Sequence, residues 1–176
     1  GHPGQEDVTT MVRVPIAVDA VGIPVIAAGG ISDARGMVAA MALGAEAVLM
    51  GTRFMCSQEC KVHANIKEWL KSLNEMDTIM TQRSLKNATR VVRTEHTEKI
   101  LDMENKGATL EELLPLLSGQ RGVNAYETGE ANQAQITVGQ CVGMLDNEPT
   151  IKEIIDGMVA DAKGILGRLQ GIGLAG

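Results

Sequence analysis

Two short glycine turns are the residues of this chain best suited to bind a charged ligand. The first contains Gly29 and Gly30, and the second contains Gly51 and Thr52. Because glycine has no side chain, its backbone N–H can approach a ligand closely, and such N–H groups attract anions, phosphate in particular. The Thr52 hydroxyl adds another donor. The alternative is that the glycines only turn the chain and allow close packing, but the repetition of the turn favours a phosphate site.

Each glycine turn directly follows a short apolar run, at residues 25–28 and 45–50. Such runs are typical of strands that are buried on both faces of a parallel sheet. Between them, Ser32 and Asp33 are candidate N-caps of a helix over residues 34–43, which Gly44 ends. The sequence therefore predicts a β-α-β unit with both turns at the carboxyl edge of the sheet. Two such turns are typical of the phosphate site after the last two strands of an eight-stranded barrel.

The remaining sequence is mostly helical in pattern. Helices are predicted over residues 57–73, 92–105, 109–117, 133–145 and 150–169, with only residues 89–92 extended. Residues 11–20 are predicted as a loop and then a helix beginning near Pro15, and the polar stretch 118–129 as a linker. Because two parallel strands cannot bury their own faces, we predict the end of a β/α barrel in residues 1–56, followed by a helical region in residues 57–176.

The composition disfavours nucleic acid and membranes as partners. The chain of 176 residues has a net charge of −6 and 2% aromatic residues, whereas nucleic acids and anionic membranes favour basic surfaces. No apolar run approaches the roughly 20 residues that cross a bilayer, no leader pattern is present, and the cysteines form no paired framework. We therefore expect a soluble, cytoplasmic protein that acts on a small molecule. The oligomeric state is left open, with a homo-oligomer among the alternatives. The absence of an initiator methionine predicts that this sequence is the later part of a longer protein.

A metal site is the weaker of the chemical hypotheses. Cys56, Cys60 and His63 are spaced at i, i+4 and i+7, which on a helix would place three potential ligands on one face. No fourth ligand is near in the sequence, and cysteines on a packed helix face are common. We therefore predict no metal. His63 and His96, flanked by polar residues, are expected to be solvated.

Six motifs along the chain together indicate a family. They are Gly-His-Pro-Gly at 1–4 with Glu-Asp at 6–7, Pro-Val-Ile-Ala-Ala-Gly-Gly-Ile at 24–31, Gly-Ala-Glu-Ala at 44–47, Met-Gly-Thr-Arg-Phe at 50–54, Arg-Ser-Leu-Lys-Asn at 83–87 and Ser-Gly-Gln-Arg-Gly at 118–122. The set resembles the nitronate monooxygenases, formerly called 2-nitropropane dioxygenases. The two glycine motifs also resemble other phosphate-binding barrels, including inosine monophosphate dehydrogenases, whereas the motifs at 1–4, 83–87 and 118–122 are narrower.

The resemblance implies an FMN-dependent TIM (β/α)8 barrel with an added helical domain and with FMN at the carboxyl end of the barrel. The residues that match the family's two phosphate-contacting loops are Ala28, Gly29, Gly30, Gly51 and Thr52. His2 matches the histidine that faces the flavin and the substrate. Its imidazole has an unperturbed pKa of about 6.5, which suits general acid-base chemistry, and Glu6 or Asp7 on the same loop would orient it. The alternative for His2 is a tag remnant or a plain surface turn.

The activity implied by the resemblance is oxidation of alkyl nitronates with O₂. Similar sequences include NAD(P)H-dependent quinone reductases and an enoyl-acyl-carrier-protein reductase, so a reductase on the same flavin barrel is the second hypothesis. A non-enzyme alternative is a fragment that keeps the glycine turns and binds a phosphate ligand without redox chemistry.

Overall fold

The computed structural model describes residues 8–172, and its elements alternate between helix and strand before the chain becomes mainly helical. In chain order they are α1 Thr10–Ala20, β1 Ile26–Ala28, α2 Ala34–Ala42, β2 Ala47–Leu49, α3 Thr52–Met55, α4 Ala64–Lys71, β3 Thr78–Thr81, β4 Thr89–Val92, α5 Glu95–Asn105, α6 Leu110–Leu117, α7 Gly119–Thr128 and α8 Ile151–Gln170. Two 3₁₀ helices, Ala131–Gln133 and Gln140–Met144, lie between α7 and α8. His2, Glu6 and Asp7 lie outside the described residues.

The predicted parallel β-α-β unit is confirmed. β1 and β2 pair in parallel, with Ala28 opposite Leu49, and α2 connects them. The Asp33 carboxylate caps α2 by accepting the N–H groups of Arg35 and Gly36. Gly44, just after the helix, has a φ of 97°, which glycine adopts without strain.

The prediction that both strands are buried on both faces is wrong for the described residues. Ala27 is buried in a small core with Val14 and Ala40, but Ile26 is 60% exposed and Leu49 is 64% exposed. Successive side chains of a strand point to opposite faces, and here α1 and α2 cover only one of them. Within residues 8–172, β1 and β2 pair only with each other, so these residues contain no closed barrel.

A second sheet was only half predicted. β4 lies where residues 89–92 were expected to be extended, but β3, its antiparallel partner, was not anticipated. Residues 134–139, inside a predicted helix, instead run along β4, where Val92 N donates to the Ile136 carbonyl at 2.9 Å and Val138 N donates to the Arg90 carbonyl at 3.2 Å. Ala134, Ile136 and Val138 are fully buried and alternate with polar residues, which is the period of a strand.

Several predicted helix boundaries are also wrong. The helix predicted over 57–73 is only α4, because residues 56–63 form turns before it. The predicted linker 118–129 is α7, which ends at Gly129 with a φ of 82°. Pro15 lies inside α1 rather than at its start, so α1 lacks the hydrogen bond that an N–H at position 15 would donate to the Met11 carbonyl.

The predicted starts of the last helices agree better with the structure. Thr109 and Thr150 form capping boxes at α6 and α8 with the residues three positions later, Glu112 and Glu153. α5 begins at Glu95 after its own capping box, three residues later than predicted. α8 contacts α2, across the predicted domain boundary at residue 56, and this division into domains stays a prediction. Of the described helices, none has the length and apolar character needed to cross a membrane.

Candidate functional site

The carboxyl ends of β1 and β2 bring the two glycine turns side by side. Gly29 and Gly30 follow β1 with φ angles of 98° and 75°, two consecutive left-handed conformations that only glycine adopts easily. Gly51 precedes α3 and Thr52 is its first residue. The predicted phosphate-contacting residues, with Ala28 at the end of β1, therefore lie at one edge of the sheet.

A third segment, which the sequence analysis missed, meets these turns at Gly139. The Gly139 N–H donates a hydrogen bond to Thr52 Oγ1 at 2.9 Å. A Cβ atom added at Gly139 would lie 3.6 Å from that oxygen and 4.0 Å from the Gly30 nitrogen, so the three segments approach closely. We call Gly29, Gly30, Gly51, Thr52 and Gly139 the glycine cradle. The missed signal was a glycine directly after the strand-like alternation of residues 134–138.

Cys141 lies against the same cradle. Burial raises the pKa of its thiol, and hydrogen bonds with the Thr52 side chain and the Gly30 backbone lower that pKa only in part. The thiol is therefore neutral near pH 7 and does not repel a bound anion. From the sequence alone, Cys141 is only one of three cysteines that form no paired framework.

The cradle is open on the side where a ligand would approach. Gly30 and Gly51 are exposed, and a Cβ atom added to either would meet no atom within 4 Å. The Thr10 hydroxyl holds the first turn by donating to the Gly29 carbonyl at 3.0 Å. Backbone N–H groups around an open space, with a threonine hydroxyl beside them, fit the phosphate group of a cofactor.

A buried ion pair anchors the segment that follows Cys141. Lys67 on α4 is 4% exposed, and its Nζ donates to the Ser57 carbonyl and to Glu148 Oε1, both at 2.7 Å. Arg53 on α3 donates to Asn147 Oδ1 at 2.7 Å. These bonds join α3 and α4 to residues 147–148, while β4 holds residues 136–138 on the other side of Cys141. The cradle segment is therefore fixed at both ends.

Cys56, Cys60 and His63 do not share one helix face, so the three potential metal ligands suggested by their spacing are not brought together. Cys56 lies at the end of α3, Cys60 in a turn, and His63 before α4, where its Nδ1 accepts the Asn65 N–H at 3.1 Å. Residues 8–172 contain no cluster of three His, Cys, Asp or Glu side chains arranged to hold a metal ion.

His96 is not simply solvated, although the sequence predicted that it would be. Its Nε2 lies 3.0 Å from the Leu116 carbonyl, and burial lowers the pKa of its imidazole.

Known proteins resemble this chain along most of its length. The nitronate monooxygenase family model matches residues 1–161. A (3aS,4S,5R,7aS)-5-hydroxy-7a-methyl-1-oxo-octahydro-1H-indene-4-carboxyl-CoA dehydrogenase from Rhodococcus jostii is 32% identical over 205 aligned positions, covering 92% of this chain and 56% of the relative. A probable nitronate monooxygenase from Staphylococcus saprophyticus is 40% identical over 97 residues, which cover 55% of this chain and 27% of the relative.

Solved structures give the same relationship. FabK from Thermotoga maritima has a TM-score of 0.86 and 38% identity, covering 95% of this chain and 53% of that protein. A nitroalkane oxidase from Streptomyces ansochromogenes, at 23% identity and a TM-score of 0.71, shares the fold. The chain spans about half the length of the relatives that it matches along most of its length. By its motifs, its fold and the family match over most of its residues, this chain belongs to the nitronate monooxygenase family.

Proposed function

We propose that this chain is the carboxyl-terminal portion of an FMN-dependent oxidoreductase that oxidises alkyl nitronates with O₂. In this proposal residues 1–56 end a TIM (β/α)8 barrel, and residues 57–176 supply the helical region. The observation that carries the proposal is the meeting of three chain segments at Gly139, beside Thr52 and Gly30, at the carboxyl edge of parallel strands. Barrel enzymes place phosphate groups at this edge.

The glycine cradle would hold the phosphate of FMN. The N–H groups of the two strand-end turns would donate to the phosphate oxygens. The Thr52 hydroxyl, whose oxygen accepts the Gly139 N–H, would turn its hydrogen from the Cys141 thiol to the phosphate. Bound FMN would supply the electron-transfer chemistry, while the protein supplies binding, orientation and electrostatics. The uncharged Cys141 thiol lies against the cradle without adding a negative charge.

His2 is the proposed catalytic residue, from its position in the Gly-His-Pro-Gly motif. Its imidazole would donate a hydrogen bond to the nitronate oxygens, or, with a neutral nitroalkane as substrate, would accept the proton from the carbon that bears the nitro group. Glu6 or Asp7 would orient the ring. A small molecule is the only partner that this chemistry requires.

A reductase that takes electrons from NAD(P)H and reduces a quinone or an enoyl thioester is the second candidate. One observation favours it: the relative from Rhodococcus jostii, which matches 92% of this chain, is named as a dehydrogenase of a CoA thioester. The same cradle would serve this activity, with His2 orienting or protonating the acceptor.

The colour of the purified full-length protein is the first test, since bound flavin absorbs visible light and polypeptide does not. We expect a flavin spectrum, and anaerobic addition of propyl-2-nitronate should bleach it. Bleaching by NADH with no response to the nitronate would instead support the reductase. A colourless protein that takes up no added FMN would contradict both enzymatic proposals and leave the phosphate-binding, non-enzyme alternative.

A further inference from the structure

A small cavity lies next to the glycine cradle and includes residues of two of the three narrower family motifs, at 83–87 and 118–122. It measures about 180 Å³, and its polar lining includes Gln82, Asn87, Ser118, Gln135 and Thr137. No charged side chain lines it. Sites for whole drug-sized ligands usually measure about 300–1,000 Å³, so this cavity has the size for one functional group of a larger ligand.

The cavity and the cradle are connected by one extended segment. Gln135, Thr137 and Gly139 alternate with the buried residues Ile136 and Val138, so the first three lie on the same face of the segment. Thr137 lines the cavity and Gly139 forms the cradle, and two residues of extended chain span roughly 6.5 Å. A molecule in the cavity would therefore lie beside a cofactor held at the cradle.

The turn that supplies Gln82 is held in a strained conformation. Gln82 and Lys86 have φ angles of 61° and 54°, which are unusual for residues other than glycine. The buried Glu104 carboxylate holds this turn by accepting from Gln82 N at 2.6 Å and from Ser84 Oγ at 2.6 Å. Backbone strain that the surrounding structure maintains is typical of ligand-binding positions.

The hydrogen bonds among the lining amides determine which groups are left for a ligand. Gln135 uses its Oε1 to accept from Thr81 Oγ1 at 2.8 Å and from Gln82 Nε2 at 3.4 Å, which leaves its Nε2 as a donor. Asn87 donates through Nδ2 to Gln82 Oε1 at 3.2 Å, which leaves its Oδ1 as an acceptor. The Ser118 hydroxyl makes no capping bond to α7. The cavity therefore offers donors and an acceptor but no charge.

We propose that this cavity, which we call the amide pocket, binds an uncharged carboxamide of a substrate or electron donor beside the flavin. A carboxamide carries both the carbonyl that Gln135 and Ser118 can bind and the N–H that Asn87 can accept. A carboxylate would place a second acceptor against Asn87 Oδ1. Leu116 and Leu117 provide an apolar wall for the body that carries the amide, either an aromatic ring or an alkyl chain. This inference rests on the proposed flavin function.

Two isolated amides test the pocket in the full-length holoenzyme. Nicotinamide represents the electron donor, N-acetylcysteamine represents the arm of an acyl thioester, and nicotinate is the carboxylate control. Ligand-observed NMR titrations give their dissociation constants. We expect at least one amide to bind, nicotinate to bind more weakly than nicotinamide, and the tighter of the two amides to identify the source of the carboxamide.

Two variants separate binding from folding. Ser118→Ala removes a hydroxyl that makes no capping bond, and Gln135→Glu keeps the acceptor oxygen but replaces the donor. Each should raise the dissociation constant of the bound amide roughly 2- to 10-fold, as the loss of one hydrogen bond does. Gln170→Glu makes the same chemical change at an exposed position of α8 and serves as the control. It should leave the dissociation constant of the amide unchanged.

Three results would overturn the amide pocket: neither amide binds, nicotinate binds as tightly as nicotinamide, or either pocket variant keeps wild-type affinity. The visible spectrum of the same samples reports the flavin separately. Intact flavin without amide binding would therefore reject the pocket while the proposed function stands.

Discussion

Thr52 connects two of the three segments of the glycine cradle through one oxygen atom. It belongs to the second strand-end turn, it accepts the Gly139 N–H, and it contacts the Cys141 thiol. The side chain is buried, although the neighbouring glycines are exposed. A ligand at the cradle therefore contacts mainly backbone, and the size of the side chains at the glycine positions decides whether the ligand fits.

Replacing Gly51 by valine should remove FMN without unfolding the protein. Gly51 has a φ of −99°, which any residue adopts, and a side chain there meets no protein atom, so only a bound phosphate would be crowded. We expect Gly51→Val to weaken FMN retention about tenfold or more in the full-length protein, because the N–H groups must approach the phosphate closely. Flavin content after dialysis measures the effect.

Gly30→Val should weaken retention at least as much, and it adds backbone strain because Gly30 has a positive φ. Gly22→Val is the matched control, since Gly22 is equally open but lies away from the cradle. Unchanged flavin content in both cradle variants would show that the cradle does not hold the cofactor.

His2→Asn should separate cofactor binding from chemistry. Asparagine keeps a hydrogen-bonding group of similar size but cannot accept a proton near neutral pH. With a neutral nitroalkane as substrate, we expect turnover of the full-length enzyme to fall about 10²-fold or more while FMN stays bound, the usual scale for loss of a general base. Near-wild-type turnover across neutral and alkaline pH, with intact flavin content, would remove His2 from the mechanism.

At the scale of elements, α7 shows how packing overrides local preference. Its sequence contains Gly119 and Gly122, which disfavour a helix, and Ser118 before it makes no capping bond. Ala125 and Tyr126 nevertheless pack against the largest core, together with residues of α4 and of segment 134–142. Burial of this face stabilises the helix where propensity does not.

The end of α7 provides a prediction with an internal control. Gly129 and Gly107 both follow helices with φ angles near 80°, but a Cβ atom at Gly129 would lie 2.6 Å from His63 Nδ1, whereas one at Gly107 would meet nothing within 4 Å. Gly107→Ala should lower the free energy of unfolding by about 1 kcal/mol through backbone strain alone. Gly129→Ala should lower it by about 3 kcal/mol, because overpacking adds to that strain. Denaturant unfolding of the full-length variants measures both, and equal losses would contradict the contact with His63.

At the scale of the whole molecule, the described residues leave an apolar sheet face uncovered. Ile23, Ile26 and Leu49 are 72%, 60% and 64% exposed, and each of the strands β1 and β2 has one edge without a partner among the described residues. Exposed strand edges and apolar patches promote association. In the full-length relatives of this fold, further chain is available to cover such a face.

The isolated 176 residues should therefore show helical circular dichroism but associate in solution or melt without a cooperative transition. The helices form locally and through the core around segment 134–142, while nothing within residues 8–172 covers the β1–β2 face. Sedimentation velocity and thermal melts test this. A monomer with a sharp, reversible two-state transition would show that the uncovered face does not limit folding.

The sequence by itself determined the features that depend on neighbouring residues. The β-α-β unit, the Asp33 cap of α2 and the capping boxes that begin at Thr109 and Thr150 were predicted because strand runs, caps and glycine stops are encoded within a few positions. The family was also recognised from short motifs.

Only the tertiary structure decided features that join distant residues. Segment 134–139 became extended because β4 offered its hydrogen bonds, and Gly139 then reached Thr52, 87 positions away in the chain. No local pattern specifies such a pairing, because its free energy comes from burial and hydrogen bonds that exist only after the chain has folded.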